Sequence, residues 1–298
     1  MLAYVVEPLY VKNGQDVIAA DFYHPENIDS PPVIIMAPEF ALLRHFKLAQ
    51  FAKRFAQAGY AVVLFDYRYW GGSTGRPREL ISLDSQLDDW RMMIAHIAER
   101  QSVDANRIIL WGSGLSAGYV LDLAATLTTI KAVIAQVPFV DGNEYAKLYP
   151  IQYMAKALKW SSQDYMAAKI AMSAKKISVV DSTSLCVFPT ADYYAGYLSV
   201  VNPDFFWSGK IPARVFFSLL KFRPILQVQN IQVPTLIIAA LQDSQIPIDT
   251  VREAATNLAT YVEYHEWDIK HFDIYGEKYF EKVILTQLDF LSKSIGVS

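Results

Sequence analysis

Cysteine is almost absent from this chain: Cys186 is the only one in 298 residues. That excludes an internal disulfide, and a lone thiol has no partner for a structural zinc site. Its surroundings, "SLCVF", offer no adjacent base, so packing is its expected role. Runs of positive charge are absent as well. With 27 Lys and Arg against 30 Asp and Glu, the net charge is −3. Nothing therefore points to nucleic acid or to an anionic membrane surface. No apolar stretch approaches the ~20 residues of a membrane span. The opening "MLAYVVEPLYVKNGQDV" lacks a charged segment followed by a long apolar one, so it does not read as a signal peptide. A soluble, cytoplasmic protein is the expectation. There is no internal repeat, no low-complexity tract and no Gly/Ser linker. The "GGSTG" at residues 71–75 follows an apolar run but is not the G-x-G-x-x-G of a dinucleotide cradle, so no cofactor is expected, and no metal.

What is present is an ordinary folded composition, 53% hydrophobic and 19% charged, in a chain long enough for one large domain or one domain with an insertion. "AYVVEPLYV" and "DVIAADFYH" read as strands joined by the turn "KNGQ". "PVIIMAP", "AVVLFDY", "RIILWGS" and "KAVIAQVPF" are short apolar runs without polar alternation. Between them lie "FKLAQFAKRFAQAGY", "SLDSQLDDWRMMIAHIAER" and "LSAGYVLDLAATL", with apolar residues at helical spacing. Strand and helix alternate, as in a mostly parallel sheet covered by helices on both faces. The alternation stops after Asp141 and returns at "VPTLIIAAL". This predicts a core domain of residues 1–141 and 233–298, interrupted by a mainly helical insertion at 142–232.

"WGSGLSAGY" (residues 111–119) holds two serines between a strand and a helix. A nucleophile on such a turn needs small residues two before and two after it. Ser113 has Trp111 and Leu115 there. Ser116 has Gly114 and Gly118, so "GLSAG" is the G-x-S-x-G match, and Ser113 reads as a turn or packing residue. A serine needs a base, and the base an orienting carboxylate. Of the histidines, His96 lies mid-helix, His24 follows an early strand and His265 lies within a strand. His271, in the loop "DIKHFDIYG", is placed to reach a serine at the sheet's end. Asp243 stands just past the strand "LIIAAL". The order Ser116, Asp243, His271 is that of an α/β-hydrolase, with Asp141 in "PFVDG" as the reserve acid.

On these blocks, with "VIIMAPEF", "RFAQAGYAVVLFDYRYWGGSTGRPRELIS", "DDWRMMIAHI" and "HFDIYGEKYF", the chain resembles the α/β-hydrolase superfamily. Within it, the chain is similar to bacterial serine hydrolases with a helical cap, near the dienelactone-hydrolase and dipeptidyl-peptidase-like branch. The resemblance covers most of the chain and says little of substrate. It implies an oxyanion hole made by the amides of Phe40 and Ala117. It also exposes a departure: where the family usually has His-Gly or Pro-Gly, this chain reads Pro38, Glu39, Phe40. We expect the Glu39 carboxylate to point away from Ser116, towards solvent or Arg44. Tyr69 and Trp70 follow a strand on the catalytic side and are candidate substrate contacts with Glu39. Asp66 and Arg68 are expected to pair and hold that loop. The aromatic stretch "ADYYAGYLSVVNPDFFW" suggests an apolar pocket wall. The expected activity is serine hydrolysis of a carboxylic ester or thioester with an apolar acyl group. A catalytically impaired binding protein, or a peptidase on the same fold, is the alternative. A small-molecule substrate is the expected partner, with homo-oligomerisation left open.

Overall fold

The apolar runs become strands buried on both faces, and their order sets where the functional residues meet. A computed structural model describes residues 1–296. The chain opens with the hairpin β1 (Tyr4–Asn13) and β2 (Asp16–Pro25), turned at Gly14, whose φ is 63°. Then come β3 (Pro32–Met36), α1 (Leu48–Gln57), β4 (Ala61–Phe65), α2 (Leu83–Ala98), β5 (Asp104–Ser113), α3 (Leu115–Ala124) and β6 (Ile130–Gln136). Every residue of β3 and β4 is buried, which explains their lack of alternation. Helix α1 buries Leu48, Phe51, Ala52, Phe55 and Ala56, one face at helical spacing, and the chain turns at Gly59 with φ 96°.

Between β6 and β10 the chain forms α4 (Gly142–Lys147), α5 (Ile151–Lys169), β7 (Lys176–Val180), β8 (Cys186–Phe188), α6 (Ala191–Val200), β9 (Lys210–Pro212) and α7 (Val215–Lys221). The three short strands pair as their own sheet, in the order β8-β7-β9. At three to five residues each, they are too brief to show a period in the sequence. The main sheet resumes with β10 (Thr235–Ala240), α8 (Ile248–Asn257), β11 (Val262–Trp267) and α9 (Glu277–Ser294).

The main sheet runs β1-β2-β4-β3-β5-β6-β10-β11. Its first two pairings, β1 with β2 and β2 with β4, are antiparallel and the rest are parallel. This is the α/β-hydrolase fold. β3 lies between β4 and β5, so the crossovers from it diverge in opposite directions. That is a topological switch point, where open α/β sheets form ligand crevices beyond the strands' carboxyl ends. Glu39 follows β3 and Gly114 follows β5 at this point. Asp243 follows β10, and His271 lies between β11 and α9. No helix among the described residues is long and apolar enough to cross a membrane.

Candidate active site

The turn from β5 into α3 is centred on Gly114, not on Ser116. Gly114 has φ 56° and ψ −119°, a conformation that side chains beyond glycine rarely adopt. The residues two before and two after it are Gly112 and Ser116, both small. A Cβ on Gly112 would lie 2.3 Å from the carbonyl oxygen of Ser116, so helix and strand pack there backbone to backbone. Gly118, the other glycine of the expected motif, serves a different contact. A Cβ on it would lie 2.3 Å from the carbonyl oxygen of Phe139. The residue in the nucleophile's usual place on this turn therefore carries no side chain.

Ser116 lies in the first turn of α3 and is buried. Its hydroxyl donates to the carbonyl of Pro38 and receives the Tyr67 hydroxyl at 2.6 Å; Tyr67 in turn accepts from Trp90 Nε1 at 2.8 Å. These partners tie the helix start to the end of β3. No hydrogen bond joins Ser116 to His271 among the described residues, contrary to the expected pairing. Ser113, also buried, accepts from Gln136 Nε2 at 3.1 Å and lies 2.7 Å from the Tyr275 hydroxyl.

Asp243 and His271 do come together. Asp243 Oδ2 lies 2.6 Å from His271 Nδ1. Its Oδ1 accepts the amides of Gln245 and Ile246 at 2.9 and 3.0 Å, and the Tyr193 hydroxyl at 2.8 Å. This turn of backbone donors holds the carboxylate on the imidazole. The reserve acid, Asp141, is engaged elsewhere. It caps α4 through the Asn143 amide and takes Arg223 in a two-pronged pair, both contacts 2.9 Å.

The imidazole's other nitrogen meets Glu39. Glu39 Oε1 lies 2.5 Å from His271 Nε2, and Glu39 Oε2 accepts the Tyr275 hydroxyl at 2.8 Å. The side chain is only 3% exposed, and it points neither to solvent nor to Arg44. Arg44 instead pairs with Asp66 and Asp21. Arg68, the expected partner of Asp66, reaches Asp88 at 2.6 Å instead. A Cβ built on Gly114 would stand 2.6 Å from Glu39 Cγ and 2.7 Å from Oε1. The glutamate thus fills the space that a side chain at 114 would need.

His271 is 1% exposed. Burial opposes its positive charge, but Glu39 and Asp243 on its two nitrogens outweigh that, and push it up to about 10. Each ring nitrogen faces one carboxylate, an arrangement that favours the charged imidazolium. Glu39, Gly114 and His271 face a cavity of about 20 Å³, walled by apolar side chains including Phe40, Leu115, Phe139 and Leu219. Residues from the 142–232 segment contribute to its wall. Phe188 and Tyr193 line it, Tyr197 donates to the carbonyl of Phe40 at 2.7 Å, and Trp207 Nε1 donates to that of Ala41 at 2.7 Å.

Three further expectations change. With the turn at Gly114, the amide directly after it is that of Leu115, in the unpaired first turn of α3. Ala117 lies deeper in the helix, its nitrogen 2.6 Å from where a Gly112 Cβ would be. Phe40 does border the cavity. Tyr69 and Trp70 line a different cleft, of about 510 Å³, with Arg44 and Phe206; Trp70 Nε1 is spent on the carbonyl of Leu80 at 2.8 Å. Sequence reasoning missed the contacts of Glu39, Tyr193 and Tyr275. The signal for Glu39 was present: a glutamate in place of the loop glycine, and a glycine in the middle of "GSGLS".

The serine aminopeptidase (S33) family of hydrolases matches residues 45–268, three quarters of the chain. The chain belongs to that family. The matched span takes in Gly114 and Asp243 and ends just before His271. The chain is 33% identical to the quorum-quenching protein AidA of Acinetobacter baumannii, over 94% of this chain and 92% of that one. A thiohydrolase of Aspergillus aculeatus is 24% identical over 40% of this chain and 37% of its own length. In fold it superposes on the α/β-hydrolase GrgF of a Penicillium species with a TM-score of 0.85, at 19% identity, covering 99% of this chain and 100% of that one. The family places it among the hydrolases.

Proposed function

We propose that this chain hydrolyses a carboxylic ester or thioester with a small apolar acyl group, in the cavity beneath residues 142–232, which act as its cap. The observation that carries this is the imidazole of His271. It is fixed by Asp243 at the strand ends and faces the cavity beside the β5–α3 turn. That is the acid–base position in an α/β-hydrolase. Phe40 and Leu115 line the same cavity, and their amides are assigned here to receive the developing oxyanion. The apolar walls suit an acyl group and offer little to a sugar or a nucleotide. Similarity to a thiohydrolase supports thioesters as well as oxygen esters. At about 20 Å³ the cavity holds no acyl group as it stands, so substrate enters only as residues 142–232 shift, and short acyl groups demand the smallest shift.

The test is a panel of p-nitrophenyl esters, p-nitroanilides and N-acetylcysteamine thioesters of two to eight acyl carbons. Turnover should be greatest for the shortest esters or thioesters and should fall to background in His271→Ala. A folded wild type inert to the whole panel would sink the reading.

One observation favours a second reading, a binding protein on the hydrolase frame: among the described residues, no serine hydroxyl bonds His271. Calorimetric binding of a short-chain ester without release of acid would establish it.

A further inference from the structure

The hydrolase reading leaves open what attacks the carbonyl, because the side chains that usually do so are engaged elsewhere. Ser116 is spent on Pro38 and Tyr67, and Ser113 on Gln136, Tyr275 and, at 3.4 Å, Glu39 Oε2. Cys186 is buried in the small sheet of residues 142–232, against the carbonyl of Asp181. The nucleophile's place at 114 is a glycine, and the volume beside it holds the Glu39 carboxylate.

We infer that Glu39 is a catalytic base seated where a nucleophile's side chain would stand, and that water attacks the substrate directly, with no acyl-enzyme. This rests on the hydrolase reading of the same site. The cavity at Glu39, Gly114 and His271 is about 20 Å³, room for one water molecule. The water oxygen bonds to the carbonyl carbon as its proton passes to Glu39. The tetrahedral intermediate then breaks its bond to the leaving oxygen or sulfur, which takes the Nε2 proton of His271. The proton on Glu39 crosses the 2.5 Å contact to Nε2, and both groups are restored. One water is consumed, and one acid and one alcohol or thiol are formed.

The charges also agree with this assignment. An ionised carboxylate beside an oxyanion would oppose catalysis through like-charge repulsion. Here the carboxylate is neutralised by the water's proton as the oxyanion forms, so the two negative charges do not coexist. The imidazolium supplies the proton that the leaving group needs. Tyr275, donating to Glu39 Oε2, fixes the carboxylate while Oε1 does the chemistry.

Two measurements test this on the full chain. The first is labelling by a fluorophosphonate probe. Wild type should stay unlabelled, while the double variant Glu39→Gly with Gly114→Ser, which empties the seat and refills it with a hydroxyl, should be labelled at residue 114. The second is kinetics on the best substrate of the panel. Glu39→Gln should lose about 10²–10⁴-fold in kcat, the range for one acid–base group, with KM changed little. Glu39→Asp should recover part of that loss. Wild type should show no acyl-enzyme burst, and added methanol should divert no product to the methyl ester. A wild type labelled at Ser113 or Ser116, or showing a burst, overturns the inference and leaves the hydrolase reading standing. Full turnover in Glu39→Gln does the same. A folded wild type that hydrolyses nothing overturns the hydrolase reading and the base role together, even where the double variant takes the probe.

Discussion

Glu39 and Gly114 occupy one place between them: the glutamate's carboxylate lies where a side chain on the glycine would have to go, 2.6–2.7 Å from the position of its Cβ. They come from the ends of neighbouring strands, β3 and β5, at the sheet's switch point. Each explains the other. A glycine at 114 admits the glutamate, and the glutamate gives His271 Nε2 a partner that a glycine cannot supply.

Asp243 and Asp141 are both buried carboxylates past strand ends, and they should separate cleanly on substitution. Asp243→Asn leaves the geometry nearly intact but offers an amide to Nδ1, and should lower kcat by about 10²–10⁴-fold, as expected when the imidazole is no longer held in the required form. Asp141→Asn weakens the Arg223 pair and should cost roughly 1–3 kcal/mol of stability, with kcat within a few-fold of wild type. Chemical denaturation and steady-state kinetics on both variants decide it. A catalytic collapse in Asp141→Asn alone would reverse the assignment.

Ser116→Ala should behave as a structural change. It removes the donor to Pro38 and leaves the Tyr67 hydroxyl, which still accepts from Trp90, short of a partner in a fully buried site. A loss of about 1–3 kcal/mol is expected from an unsatisfied buried hydroxyl. Turnover measured well below the melting temperature should stay within about tenfold. Loss of all hydrolysis in a folded Ser116→Ala would restore the serine to the chemistry.

Asp243 and His271 were legible because strand ends are legible. Apolar runs such as "LIIAAL" end abruptly, and the residues just past the end of a parallel strand lie on the functional side. The turn at 114 was not. Two glycine frames overlap in "GSGLSAG", and the requirement for a hydroxyl at the centre favours the frame around Ser116. Backbone geometry picks the other frame, because Gly112 and Gly118 answer to packing against α3 and Phe139 rather than to the nucleophile. The partner of Glu39 was misjudged for a related reason. A carboxylate near an oxyanion looked costly, at roughly 4 kcal/mol for charges 4 Å apart at an effective dielectric of 20, and the sequence alone could not show that an imidazolium lies between it and Asp243. Tyr193 is 78 residues from His271, and no local pattern signals such a contact.

Tyr193→Phe tests whether the segment 142–232 helps hold the site. The hydroxyl donates to Asp243 Oδ1 at 2.8 Å and lies 2.8 Å from His271 Nδ1. The ring packs against Phe272 and Phe188, so phenylalanine keeps the packing and removes only the oxygen. With one donor gone, the Asp243–His271 geometry loosens. A drop in kcat of roughly 3–30-fold is expected, equivalent to about 1–2 kcal/mol for one hydrogen bond, at nearly unchanged melting temperature. Tyr197→Phe, whose hydroxyl holds the Phe40 carbonyl, should act on the oxyanion loop in the same way. Unchanged kcat in both variants would show these two hydroxyls to be bystanders.

The dependence of stability on pH takes its sign from His271. Unfolded, the imidazole titrates near 6.5. Folded, burial disfavours its charge, but Glu39 and Asp243 outweigh that and raise it to about 10. A group raised on folding contributes stability that is fully present below its unfolded value and is lost as pH climbs through its folded one. Between pH 6.5 and 10 the folded state therefore binds one more proton than the unfolded chain. Stability should fall by about 1.4 kcal/mol per pH unit from this group, which for a chain of this size is a drop of roughly 2–4 °C in Tm per unit. Buried tyrosines raised by desolvation, Tyr193 and Tyr275 among them, add to the loss only towards the alkaline end. Glu39→Gln removes one of the two charges that hold the proton, so its Tm should decline less steeply between pH 6.5 and 9 than that of wild type. Melting curves of the two proteins across that range, at constant ionic strength, give the slopes. Parallel slopes would mean that Glu39 does not help to hold the proton on His271.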